Sequence, residues 1–197
     1  MDALAADAVA MDRGTANPRA LDHSGLSRFN ALPPEEAAAE LSACCASRRW
    51  VAALSSGRPY AGVNALYAAA AEHLAALDWP DVLEALGAHP RIGERAAGTG
   101  REAAWSRAEQ SGAQDPGART AAELAAANAA YEAKFGYVFL IRAAGRTAAQ
   151  MLAAALDRLD HDELTEQAVV RDELGQIVRL RLDKLLAGLA EGTGPSR

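Results

Sequence analysis

The sequence predicts an all-α fold, a single-domain compact multi-helix bundle closed by a long C-terminal helix. Three observations carry that expectation. Half of the 197 residues are hydrophobic but only 5% are aromatic, and much of the apolar content is alanine, the strongest helix former and a side chain that lets helices approach closely. Apolar residues recur at helical spacing between stops made by proline and glycine. Only one run, Tyr137-Val138-Phe139-Leu140-Ile141, is strongly β-prone. A single strand has nothing to pair with, so this run reads as an extended segment threaded between helices, whose backbone amides need partners. A bound ligand is one candidate partner.

The length suits one domain with a real core. Residues 1–22 lack a sustained amphipathic pattern and read as a flexible N-terminal extension to a helical domain spanning 23–190, with a polar tail over 191–197. Phe29 to Pro34 leads into the first helix, where Pro33 and Pro34 open the turn and Glu35 and Glu36 suit the positive end of the helix dipole. That helix runs to about Cys45. Ser47 is a plausible N-cap for a short helix through Leu54, and residues 56–60 form a loop. Residues 63–76 read as a helix with Leu66, Ala70 and Leu74 on one face, and Asp78 caps the next, opened by Trp79-Pro80. Residues 94–103, rich in glycine, alanine and charge, read as a surface loop. A short helix opens at Ser106 and a longer one covers 118–134, stopped by Gly136 in a left-handed conformation. Gly145-Arg146-Thr147 restarts a helix through Arg158, and the last helix covers about 162–189.

The net charge of −6 and the absence of a basic stripe with interleaved aromatics argue against a nucleic-acid partner. No apolar run is long enough to span a bilayer, and Asp2, Asp7 and Asp12 make the N-terminus a poor secretory signal. Cys44 and Cys45 are adjacent, which disfavours a structural disulfide and reads as buried thiols in a reducing cytoplasm. The four histidines have no metal-binding spacing, so no metal is expected.

Unusual demands concentrate in Gly87-Ala88-His89-Pro90-Arg91-Ile92-Gly93. Proline removes a backbone donor and pushes the residue before it out of the α region. His89 is thereby held at a helix end, where a side chain can be presented as general acid, general base or ligand, or can serve structure alone. Glu109 is the candidate carboxylate partner. Ser106-x-x-Glu109 also matches a helix capping box, so both residues have a purely structural reading. Gln110 offers donors and an acceptor. Arg91, Arg142, Arg146 and Arg158 are candidate anion partners.

Taken together these stretches resemble the 2-oxo-4-hydroxy-4-carboxy-5-ureidoimidazoline (OHCU) decarboxylase family over about residues 28–188. The ordered set runs from Phe29-Asn30 through Cys44-Cys45, Ser47 and Arg49-Trp50 to Ala88-His89-Pro90-Arg91-Ile92-Gly93. It continues with Trp105-Ser106-x-x-Glu109-Gln110, Asn128-x-x-Tyr131-x-x-Lys134-Phe135-Gly136-Tyr137-x-Phe139, Gly145-Arg146 and Leu180-Arg181-Leu182-x-Lys184-Leu185-Leu186. The resemblance implies an all-helical, cofactor-free carboxy-lyase, commonly a homodimer, that forms (S)-allantoin in urate degradation. It implies His89 as the catalytic acid, with Glu109 orienting it and favouring its protonated form. It further implies that Pro90, Ser106, Gln110, the backbone of Phe139, Leu140, Ile141, Arg142 and Ala143, and Arg158 line the substrate. His161 departs from the family pattern, where asparagine is common, and the N-terminal extension is one the family does not need. The alternative expectation is a non-catalytic ligand-binding or regulatory protein on the same scaffold.

Overall fold

The structure, a computed structural model, describes residues 18–94, 100–111 and 117–192. Its described residues form α-helices and connecting segments, with no strand. In order these are α1 (Pro18–Ala31), α2 (Pro34–Cys44), α3 (Arg48–Ser56), α4 (Val63–Ala75), α5 (Trp79–Leu86), α6 (Arg101–Glu109), α7 (Ala118–Phe135), α8 (Ala148–Arg158) and α9 (Glu163–Ala190). The all-α bundle and its long last helix agree with the expectation from sequence. No helix among the described residues is long and apolar enough to cross a membrane.

Local chemistry accounts for most helix ends. Pro34 opens α2, and the buried stripe Ala37, Glu40, Leu41 and Cys44 follows the i, i+3, i+4, i+7 pattern of a helix lying on a core. The Ser47 side chain accepts from the Trp50 amide at the start of α3, and the Asp78 side chain accepts from the Asp81 amide at the start of α5. Gly136 ends α7 at φ 79°, a backbone conformation that glycine adopts without strain. Thr147 and Gln150 make both bonds of a capping box at α8. Each device satisfies backbone donors or acceptors that a helix end leaves open.

The long helix α9 organises the core. It packs against α1, α2 and α4, and Val170, Leu174, Ile177, Val178, Leu182 and Leu185 are buried along it. Trp50 is fully buried, and its indole Nε1 donates to the Ala70 carbonyl at 3.0 Å, so the largest apolar group also leaves no orphaned donor. Cys44 and Cys45 are both free and buried.

Two elements differ from expectation. Helix α1 begins at Pro18, inside the stretch read as an extension; residues 1–17 lie outside the described residues. Its own pattern is weak, and tertiary docking sustains it. Gly25 lies against the backbone of Leu186 so closely that a Cβ there would overlap the carbonyl oxygen, and Leu26 and Phe29 are buried in the core. Helix α6 begins at Arg101, not at Ser106. Arg101 pairs with the buried carboxylate of Glu40 on α2, anchoring a turn that the composition of 94–103 gave no reason to expect. Residues 95–99 of the expected loop lie outside the described residues, as do residues 193–197 of the expected tail.

Candidate active site

The cleft forms where the ends of α5 and α6 meet the extended segment before α8 and the middle of α9. Helix α5 stops at Leu86, and the His89 amide closes a turn onto the Leu86 carbonyl at 2.9 Å. Pro90 prevents the helix from continuing. The imidazole Nδ1 lies 3.0 Å from the Ala85 carbonyl. A carbonyl only accepts, so Nδ1 carries the proton and the neutral ring has its lone pair at Nε2. Nε2 is buried without a hydrogen-bond partner among the described residues.

The other walls converge on this ring. The end of α6 supplies Ser106, Glu109 and Gln110, and the segment after α7 supplies Phe139, Leu140, Ile141 and Ala143. Pro90 and Ile92 follow His89, and α9 contributes Ile177 and Arg181. The space is about 20 Å³, which holds about one water molecule.

Arg181 is the central charge of the cleft, with a side chain only 2% exposed. Its Nη2 donates to Ser106 Oγ at 3.0 Å and to Glu109 Oε2 at 3.1 Å, and its Nη1 donates to the Ala43 carbonyl at 3.3 Å. Lys184, one turn on, donates to Glu109 Oε1 at 2.9 Å. A buried carboxylate thus faces two cations, the pairing that burial of charge requires. Gln110 Oε1 accepts from the Gly93 amide at 3.1 Å, which commits its carbonyl to the loop after His89.

His89 and Glu109 share the cleft without a direct hydrogen bond among the described residues, and the Glu109 charge still favours the protonated ring. The Ala85 carbonyl orients the ring, and Glu109 is engaged by Arg181 and Lys184. Burial, with the positive charge of Arg181, pushes His89 from its ordinary 6.5 down to about 4; the Ala85 bond and Glu109 oppose the shift without overcoming it. Burial and the Arg181 charge both favour the neutral ring at pH 7. Ser106 and Glu109 are also not a capping box, because they lie in the last turns of α6, where Ser106 Oγ donates to Glu102 at 3.1 Å.

The extended segment is held from behind by the end of α8 and by α9. Arg158 donates from Nη1 to the Leu140 carbonyl at 2.8 Å and pairs with Glu166, which is fully buried and also accepts from the Tyr131 hydroxyl. Two turns further along α9, Glu173 Oε2 accepts from the Arg142 amide at 2.7 Å. Between these anchors the amides of Leu140, Ile141 and Ala143 donate to no group among the described residues. The β-prone run is expected to need partners for its amides, and the Arg142 amide finds one in Glu173.

Of the residues expected at the site, His89, Pro90, Ser106, Glu109, Gln110, Phe139, Leu140, Ile141 and Ala143 come together. Arg158 and the Arg142 side chain do not. Arg158 lies behind the segment, stacked 4.7 Å from the Phe139 ring centroid, and Arg142 lines a different groove. Arg181 was missed as a site residue. Its signal is a charge set within the buried stripe Leu174, Ile177, Val178, Leu182 and Leu185, a position where arginine persists only with partners.

Residues 30–183 match the family described as OHCU decarboxylase. The chain belongs to the OHCU decarboxylase family. It is 33% identical over 136 residues to the 2-oxo-4-hydroxy-4-carboxy-5-ureidoimidazoline decarboxylase of Haloferax volcanii, a match covering 68% of this chain and 79% of that one. It is 34% identical over 155 residues to the uric acid degradation bifunctional protein TTL of Arabidopsis thaliana, covering 77% of this chain. The match spans 48%, about half, of that relative's length. A crystal structure of an OHCU decarboxylase in the presence of (S)-allantoin aligns with a TM-score of 0.65 at 33% identity, over 75% of this chain and 97% of that one. The cleft residues of this family member fall within the matched range.

Proposed function

We propose that this protein is a cofactor-independent carboxy-lyase that converts OHCU to (S)-allantoin in urate degradation. The observation that carries the reading is a buried His89 whose Nε2 has no hydrogen-bond partner among the described residues, set beside a buried arginine and the backbone amides of Leu140, Ile141 and Ala143, which likewise have none there. The family membership and the relative solved in the presence of (S)-allantoin support the substrate assignment.

The chemistry asks for little beyond binding and one directed proton. The bond from the ring carbon to the carboxylate breaks, and its electron pair passes into the adjacent carbon–nitrogen double bond. Carbon dioxide leaves. The ring nitrogen that receives the electrons takes one proton from water, and the resulting enol is protonated at the neighbouring carbon while its hydroxyl loses a proton. Amides at Leu140, Ile141 and Ala143 and the Gln110 side chain offer donors to the developing negative charge, where preorganised dipoles act most strongly. Arg181 supplies a cation for the carboxylate. Because burial favours the neutral imidazole, the proton His89 delivers comes from the substrate. Nε2 accepts the hydroxyl proton, and the imidazolium then acts as the general acid toward carbon from one face, which selects the S product. Glu109 acts as the partner of His89, its charge favouring the imidazolium that forms, and is itself held by Arg181 and Lys184. Entry of the ring requires side chains over the narrow cleft to move aside.

The same reading takes residues 23–190 as the catalytic unit, working as a homodimer in the cytoplasm. The test is circular dichroism of allantoin formed from OHCU generated in place from urate by the two upstream enzymes. Rapid growth of the S signal above the slow racemic background is expected with the protein. It is lost with a folded His89→Ala variant and much reduced with Glu109→Ala. No acceleration by the folded wild type would overturn the proposal in favour of a non-catalytic binding protein, and wild-type turnover by His89→Ala would overturn the mechanism.

A further inference from the structure

Arg158 and Glu166 form a buried ion pair that the proposed reaction leaves unused. Glu166 is fully buried, and the Arg158 side chain is only 5% exposed. Such a pair often stabilises a fold no better than apolar side chains of the same volume, so its presence calls for a use. Arg158 donates from Nε to Glu166 Oε1 at 2.8 Å and from Nη2 to the same oxygen, and Nη2 also reaches the Tyr131 hydroxyl at 3.3 Å. The Tyr131 hydroxyl bonds Glu166 as well, and His161 Nδ1 lies 2.8 Å from its second oxygen. The guanidinium carbon sits 4.7 Å from the Phe139 ring centroid and 5.6 Å from that of Tyr131. Arg158 is thereby fixed with its Nε–Nη2 edge on the carboxylate, which leaves Nη1 to donate to the Leu140 carbonyl at 2.8 Å.

That bond bears on the cleft through one peptide group. The peptide between Leu140 and Ile141 is trans, so its C=O and N–H point in opposite directions. Its carbonyl is turned back to Arg158, which lies outside the cleft, and the Ile141 N–H therefore points forward from a residue that lines it. The next peptide is turned the other way. The Arg142 N–H goes back to Glu173, which brings the Ile141 carbonyl forward. The N–H and C=O of Ile141 thus share the front edge, as those of one strand residue do, and neither has a partner among the described residues. Donation to a carbonyl oxygen draws electrons through the peptide and makes its N–H a stronger donor. The effect is larger where the donor is charged and the surroundings are apolar.

We infer, on the reading that the protein decarboxylates OHCU, that Arg158 seated by Glu166 is a positioning residue for the reaction. It aims and strengthens the Ile141 N–H, which donates to the negative charge that develops as carbon dioxide leaves. The two supports of the segment then differ in what they do: Glu173 fixes where it lies, and Arg158 sets how strongly it donates.

The chain has three isoleucines, Ile92, Ile141 and Ile177, so labelling isoleucine with 15N gives one amide signal for each. Arg158→Met with Glu166→Gln removes the ion pair without leaving a buried charge unpaired. Arg158→Gln with Glu166→Gln removes the charges and keeps polar side chains at both positions, so the comparison stands if the first pair folds poorly. In the folded variants the Ile141 15N resonance is expected to move upfield several-fold further than those of Ile92 and Ile177. Per folded molecule, kcat for OHCU is expected to fall about tenfold with KM within about twofold. Arg158→Lys, which keeps the charge, is expected to regain about a third of the wild-type kcat or more. An unmoved Ile141 resonance would overturn the inference, as would a raised KM at unchanged kcat, the mark of a residue that only holds the segment. No OHCU turnover by the folded wild type would overturn the decarboxylase reading and with it the catalytic use of this donor, whereas a moved Ile141 resonance would still show Arg158 acting on that peptide.

Discussion

Lowering the pH should destabilise this protein through His89 in a window that can be stated in advance. In the unfolded chain the imidazole titrates at its ordinary 6.5; in the folded cleft burial and Arg181 push it down to about 4. Between those values the unfolded state binds more protons, so stability falls as pH falls. The contribution is fully present above pH 6.5 and fully lost below about 4. At about 1.36 kcal/mol per pKa unit the full excursion is on the order of 3 kcal/mol, a large share of the roughly 5–15 kcal/mol that holds a typical domain together. Carboxylates also titrate in this range, so the assay is a comparison. Urea unfolding of wild type and His89→Gln from pH 7.5 to pH 4 isolates the histidine. The wild type is expected to lose on the order of 3 kcal/mol more than the variant across the window. Parallel stability curves would refute the argument that the cleft holds a neutral imidazole. The same feature predicts that the limb of kcat/KM governed by His89 lies near pH 4 in the free enzyme rather than near 6.5.

Other consequences follow from buried partners. Arg181→Ala leaves Glu109 facing Lys184 alone and should cost about 3–5 kcal/mol in thermal or urea unfolding, with much of it recovered when Glu109→Gln is added. Glu173→Ala removes the acceptor of the Arg142 amide; it should raise KM for OHCU more than it lowers kcat, because it loosens a segment proposed to bind substrate. Gly25→Ala places a methyl group against the Leu186 carbonyl, where backbone cannot yield; it should lower the melting temperature and raise hydrogen exchange in α1 and the end of α9.

Much of the architecture is written locally. The caps at Ser47 and Asp78, the glycine stop at Gly136, and the lone β-prone run after it are signals contained within a few residues, and each appears where the sequence puts it. The same is true of His89, whose exit from the helix is dictated by its neighbour Pro90. These features are legible because capping and backbone sterics act over a span of about four residues.

What only the tertiary structure decides is which charge meets which. Glu109 is separated by 72 residues from Arg181, and nothing in its own neighbourhood chooses that arginine over His89. Arg158 looks like an anion-binding side chain until the fold turns it behind Leu140 and against Glu166. Helix α1 has too little pattern of its own and exists by lying on α9. In each case the deciding quantity is burial, which sets both the cost of an unpaired charge and the worth of an apolar contact. Burial belongs to the assembled fold, so the residues that depend on it take their roles only there.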